Sequence, residues 1–195
     1  MQRLAFLLVM AMLLWPAGGA RADIGRGVDL FESGRYDEAA AVLAPLAEGG
    51  DPAAQYLLGV MYLNLMVEPP REHAALRLIE GAAEAGHLTA QTELARMYRA
   101  GDGVEQDFVK MIAWYERAAE QGDVGAQLFV ADGYGYGYGV EPDLVEAYKW
   151  YEIAIQYWGS LAVRARDVLA EKMTDEDIAE AVRRAGDWLA SRPRN

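Results

Sequence analysis

No cysteine occurs in the 195 residues. That excludes disulfide staples, thiolate metal sites and a lipid anchor on a modified cysteine. Histidine is nearly as scarce, with His73 and His87 the two present. Neither belongs to an H-E-x-x-H motif, and no second histidine stands at ligand spacing. His87 reads as a solvated turn residue, and His73 as a residue near the start of a helix. Positive charge is also short: 18 Lys and Arg face 30 Asp and Glu, a formal net charge of −12. Such a chain repels phosphate backbones and anionic membrane surfaces, so nucleic acid is set aside as a partner. The charge serves solubility, or forms an acidic face that steers a basic partner. Ser33 and Ser160 flank glycines, but neither sits in a G-x-S-x-G elbow. No Walker A or dinucleotide fingerprint appears in strand-to-helix context. Carboxylate pairs such as Glu141 with Asp143, or Asp175 with Asp177, read as charges at helix N-termini. No catalytic, cofactor-binding or metal-binding residue is expected, and the chain does not read as an enzyme.

Long apolar runs are limited to the beginning. Arg3 precedes an apolar stretch from Leu4 to Trp15, and Pro16 ends it. Small residues follow, then Ala20-Arg21-Ala22, an A-x-A cleavage site. That order is a secretory signal peptide over residues 1–22, with Asp23 as the mature N-terminus. A dozen apolar residues span only ~18 Å as a helix, short of a ~30 Å hydrocarbon core. Cleavage removes Arg3 and Arg21 and no acid, leaving a formal charge of −14. The expected location is periplasmic or secreted, with no insertion in the membrane after cleavage.

What the chain does have is a period. Ala54-Gln55, Ala90-Gln91 and Ala126-Gln127 are spaced by 36 residues without a gap, as are Tyr62, Tyr98 and Tyr134, and Glu80, Glu116 and Glu152. A fixed period in the range of twenty to fifty residues marks a stacked repeat. Within the copy at 90–125, Ala90, Leu94 and Tyr98 recur at helical spacing, then Met111, Trp114, Tyr115, Ala118 and Ala119. Gly101-Asp102-Gly103-Val104 turns the chain between them, and Gly122 caps the second helix. The copy at 126–161 repeats this with Gly137, Gly139, Trp150, Tyr151 and Ala154, and Pro142 stands at the start of its second helix. Trp114 and Trp150 are expected in the core; Trp158 is off-pattern. The copy at 54–89 departs at its turn, where Leu65 and Val67 replace glycines and Pro69-Pro70 follow.

The flanks read as capping helices over 23–53 and 162–190. The first has Gly34 in its turn and Ala39, Ala40, Leu43 and Ala47 on its second helix. In the second, Thr174 and Asp177 form a capping box. Glu180, Arg183, Arg184 and Asp187 then give the last helix a polar outer face, which Pro193 ends. The expectation is one all-α domain of about five helix pairs and no strand.

The motif Ala90, Tyr98, Gly101-x-Gly103-Val104, Asp107, Trp114-Tyr115, Ala118-Ala119 and Gly122 resembles the Sel-one-like repeat, a relative of the tetratricopeptide repeat. Ala126, Tyr134, Gly137-x-Gly139-Val140, Asp143, Ala147, Trp150-Tyr151 and Ala154 match it again. The resemblance implies a right-handed α-solenoid of antiparallel helix pairs that scaffolds protein complexes, and it implies no catalytic residues. A secreted branch of that family, linked to penicillin binding and β-lactam hydrolysis, is cysteine-rich. The lack of cysteine here disfavours such a hydrolase.

The leading functional expectation is a protein–protein interaction module that binds an envelope or secreted partner along its concave surface. First-helix residues that differ between copies mark that surface: Glu93, Arg96, Phe129 and Asp132, with Tyr136 and Tyr138. Arg96, set amid Glu93 and Asp132, either anchors a partner carboxylate or pairs with those acids within the chain. The segment Gly133-Tyr-Gly-Tyr-Gly-Tyr-Gly139 supports an alternative, an aromatic platform for glycan or peptidoglycan.

Overall fold

In the computed structural model of the chain, residues 17–67 and 72–192 are described. The apolar core of the expected signal peptide, Pro69-Pro70 and Pro193 lie outside the described residues. The described residues form ten α-helices and no strand. They are α1 (Ala17–Glu32), α2 (Tyr36–Glu48), α3 (Pro52–Leu63), α4 (Glu72–Glu84), α5 (Leu88–Ala100), α6 (Phe108–Glu120), α7 (Val124–Tyr136), α8 (Leu144–Trp158), α9 (Ser160–Ala170) and α10 (Asp175–Ala190). The expected cut after Ala22 falls inside α1. No described helix is long and apolar enough to cross a membrane.

Short polar turns start and stop these helices by one recurring device. Asp51 accepts from the Ala53 and Ala54 amides at the start of α3, and Asp123 from the Ala126 amide at the start of α7. Asp107 and Asp143 do the same for α6 and α8 through the Lys110 and Glu146 amides. Each carboxylate satisfies amides that the first turn of a helix leaves without partners. Gly50, Gly86 and Gly122 have φ of 85°, 90° and 96° and reverse the chain just after α2, α4 and α6. The next amide then bonds back to the helix: Asp51 to Leu46, His87 to Ala82 and Asp123 to Ala118. Thr174 and Asp177 form the expected reciprocal capping box at α10.

The chain divides into two compact units, Met1–Ala90 and Gln91–Asn195. In the first, α1 packs on α2, α2 on α3, and α3 on α4. Small residues bring α3 and α4 together: a Cβ at Gly59 would stand 2.8 Å from Ile79 Cγ1 and 3.2 Å from the Ala75 carbonyl oxygen. Leu43, Leu58, Met61 and Ile79 fill the buried interior. Each such side chain contributes roughly 1.5–3 kcal/mol through the apolar surface it removes from water.

In the second unit, α6 packs on α7, α7 on α8, and α8 on both α9 and α10. Leu94, Met97, Ile112, Val130, Trp150 and Ile153 are buried there. The two Trp positions of the repeat differ. Trp150 is 2% exposed, whereas Trp114 is only half-buried and carries the Arg117 guanidinium 4.5 Å above its ring. Trp114 is therefore a rim residue and not part of the core. Pro142 also differs from expectation: it precedes the capping Asp143, outside the helix, and fills the space beside Gly137. At the far end, α9 and α10 share α8 as their support.

Candidate interaction face

Phe129, Asp132 and Tyr136 are spaced by three and four residues along α7, so they lie on one side of it. On α5, Glu93, Arg96 and Arg99 follow at three-residue steps, so each neighbours the next around the helix. The two rows meet where the Arg99 guanidinium lies 4.9 Å above the Phe129 ring. Phe129 in turn stacks on Tyr115 of α6, with centroids 4.5 Å apart and planes 11° from parallel. Tyr115 is buried, and its hydroxyl is pushed above the ordinary tyrosine range by that burial. The charges of Arg99, Arg96 and Glu93 all act on it, so the α5 row and the α7 row belong to one face.

The expected residues divide into engaged and open ones. Arg96 is held by two acids: Nη2 and Nε donate to Glu93 at 2.7 and 3.1 Å, and Nη1 donates to Asp102 at 3.0 Å. These bonds raise its already high pKa. Asp132 is not the partner of Arg96; it accepts the Tyr151 hydroxyl at 2.5 Å. Burial first, then that bond, raises the Tyr151 pKa far above its ordinary value. Tyr134 is fixed likewise on Glu116 at 2.5 Å. Beyond these, Tyr136 and Tyr138 project, 66% and 54% exposed, with rings 5.6 Å apart and tilted by 32°. Gly137, at φ 76°, turns the chain between them.

Arg99 is the residue that sequence reasoning passed over. No described carboxylate forms an ion pair with it, and its guanidinium rests on an aromatic ring. The signal was present, since positions 63, 99 and 135 hold Leu, Arg and Gly and so vary as the chosen positions do. His87 is likewise more than a solvated turn residue. It is half-buried, its Nδ1 accepts from the Ala90 amide at 3.2 Å, and its ring stacks on Tyr56 at 4.8 Å. Burial lowers its pKa, opposed by the charge of Asp51. His73 lies in the first turn of α4, as expected. Among the described residues no cluster of His, Asp and Glu could hold a metal ion.

A hairpin of helices, an Asp cap, a glycine reversal and a period of 36 recur through the chain, and they coincide with a known repeat. The Sel1 repeat matches residues 52–87, 88–123 and 124–156, more than half of the chain. The chain belongs to the Sel1 repeat family. Among solved structures, this Sel1 repeat chain is similar to a protective antigen present in uropathogenic Escherichia coli strains displaying an SLR fold. The identity is 31% over 78% of this chain and 32% of the antigen, with a TM-score of 0.62; the chain thus spans about a third of the antigen's length. It is also similar to a Sel1 repeat protein from Oxalobacter formigenes, at 38% identity over 64% of this chain and 94% of that one, with a TM-score of 0.58. No curated protein matches. Sel1 repeats generally mediate protein–protein interaction, and this chain has their all-helical fold with adjacent helices packed in pairs.

Proposed function

We propose that the chain is an exported, non-catalytic scaffold that binds an envelope or secreted protein across the face built from α5 and α7. Arg99 carries this reading. Arginine is enriched where proteins meet, and a guanidinium already seated on an aromatic ring loses little freedom on bonding a partner acid. Phe129 lies beneath it, Tyr136 follows on the same side of α7 and Tyr138 just past its end, and the two tyrosines supply apolar area with polar tips. Glu93, Arg96 and Asp132 are tied within the chain and hold the face in shape. The formal charge of −14 left after cleavage would favour a basic partner, whose own acids would then reach Arg99.

Crosslinking in intact cells followed by mass spectrometry identifies the partner. Arg99→Met should then weaken binding about tenfold, the loss of a charge-assisted bond, while Arg96→Met costs affinity only through a softened fold. Equal affinity of Arg99→Met and the parent, at equal melting temperature, would refute the assignment of this face. Export is tested separately: the intact mass of protein from the periplasmic fraction should correspond to a chain starting at Asp23. An unprocessed mass in the cytosol would end that part of the proposal.

The open Tyr136 and Tyr138 pair favours one second reading, contact with cell-wall glycan through stacked rings. Sedimentation with purified sacculi, lost on the double change Tyr136→Ala and Tyr138→Ala, would support it over the protein partner.

A further inference from the structure

A pocket of about 840 Å³ opens in the second unit, where the ends of α6, α8 and α10 meet the beginning of α7. Gln121, Gln127, Ile153, Tyr157, Trp188 and Arg192 are among its walls. Its size is that of cavities that hold small ligands. Its origin lies in how one copy of the repeat departs from the one before.

In the earlier copy, Gln91 is buried and its Oε1 accepts a hydrogen bond from Gln121 Nε2 at 2.7 Å. Gln127, 36 residues later, is 2% exposed, yet its Oε1 has no hydrogen-bond partner. The place of Gln121 is taken by Tyr157, which is 72% exposed. The reason is local. Gln121 is the residue that ends α6, whereas α8 continues through Trp158, so Tyr157 is still helical. Tyr157 lines the pocket without bonding the acceptor, and a hollow remains.

On the same pocket, Arg192 Nε is also buried and without a partner. That guanidinium lies 3.7 Å above the Trp188 ring, and its Nη2 reaches Glu120 at 3.4 Å. Buried acceptors and donors are nearly always paired in native proteins, because losing water without gaining a partner is unfavourable. The acceptor and the donor belong to residues that line one pocket but are themselves closed to solvent, so a ligand that reaches them parts the side chains around them and offers an N–H and a C=O. Because Glu120 already balances Arg192, the ligand need carry no charge. A sugar would need an open ring face, but Arg192 covers one face of Trp188, Trp150 meets it edge-on at 5.6 Å, and its Nε1 donates to Glu120.

We infer that this pocket takes an extended peptide segment of the partner, with one backbone amide bonded between Gln127 Oε1 and Arg192 Nε. The inference rests on the scaffold reading and adds to it a second contact, away from the face of α5 and α7. The N–H of that amide donates to Gln127, its C=O accepts from Arg192, and Ile153 and Leu189 give the neighbouring side chain an apolar seat.

The test is panning of a phage-displayed library of random linear heptapeptides on the purified full chain. Enriched peptides should bind the parent and lose about tenfold in affinity on Gln127→Leu and on Arg192→Met, with melting temperatures unchanged or raised. Should Gln127→Leu fail to fold, Arg192→Met, beyond the last helix, decides alone. No enrichment, or enriched peptides that bind both variants as well as the parent, would overturn the inference. Peptides that ignore these variants but lose affinity on Arg99→Met would keep the scaffold and remove the pocket. Binding of chitotetraose, lost on Gln127→Leu and without any peptide binding, would assign the pocket to a sugar instead.

Discussion

Leu65 occupies the left-handed region, at φ 53°, where the later copies place Gly101 at 79° and Gly137 at 76°. A Cβ in that region costs roughly 1–2 kcal/mol. The turn is nevertheless made, since the Met66 amide bonds back to the Met61 carbonyl at 2.9 Å, just as Tyr138 bonds to Gly133. Leu65 is 53% exposed and so loses little packing when cut away. Leu65→Gly should therefore stabilise the protein by about 0.5–1 kcal/mol, relief of strain less the added freedom of the unfolded chain. A melting temperature equal to or below the parent's would contradict this. His87 is the second exception at this scale. Its cap needs a neutral Nδ1, and its folded pKa lies below the ordinary value. The unfolded chain therefore takes up the proton first as pH falls. The stabilisation is complete above about pH 6.5 and is lost as pH falls through that value and then the folded pKa. His87→Asp installs the residue that caps α3 and α7. Thermal melts from pH 7.5 to 5 should show a slope in the parent that is flattened in this variant; parallel slopes would exclude His87 as the cause.

The elements were largely legible because one unit is written three times. The 36-residue period aligned apolar positions into helices, and the Asp and Gly positions marked where they begin and end. Two details escaped for physical reasons. A histidine is not a usual cap, so nothing in its type announced the role it takes beside Tyr56. Nor could the pattern tell that Pro142 lies before its helix, because proline suits either place. The sharpest test at this scale is Gly139. It lies at φ 77°, and a Cβ there would stand 2.0 Å from the Phe108 carbonyl oxygen and 2.8 Å from the Val109 amide nitrogen. Both are backbone atoms at the start of α6, so no rotamer change relieves the clash. Gly139→Ala should cost at least the ~1–3 kcal/mol of overpacking, with the strain of the left-handed region added. By contrast, Gly125→Ala meets only the Asp123 carboxylate at 3.3 Å. Its helical position should gain from alanine instead. Equal melting of the two variants would mean that the α6–α7 contact is looser than these distances require.

At the scale of the molecule, side-chain partners were much less legible than helices, because periodicity says nothing of rotamers. Arg96 bonds Glu93, one of the two acids expected beside it, but its second acid is Asp102, and Tyr151 takes Asp132; among the described residues of that face the open cation is Arg99. The pocket by Gln127 depends on two extra helical residues in α8, Tyr157 and Trp158, a slip that only the folded chain converts into a missing bond. The same end of the molecule also shows what a repeat array asks of its last element. Each repeat relies on a neighbour to cover its apolar side, so the final copy needs a cap with a polar outer face. Helix α10 fills that role. It sets Trp188 edge-on against Trp150, brings Arg184 to 3.7 Å from Glu146, and turns Arg183, Glu180 and Asp187 outward in ion pairs. Those exposed pairs add little energy themselves; the covering of Trp150 matters more. Removing Trp150 by substitution with alanine should cost ~3–5 kcal/mol, and Trp114→Ala markedly less because that ring is already half in water. A chain ended after Met173 should lose stability through the same ring. In that background the further cost of Trp150→Ala should shrink, since its packing partner is gone. Denaturant unfolding of the four combinations measures this directly. If the losses from truncation and from Trp150→Ala simply add, α10 stabilises the unit by contacts other than the one with Trp150.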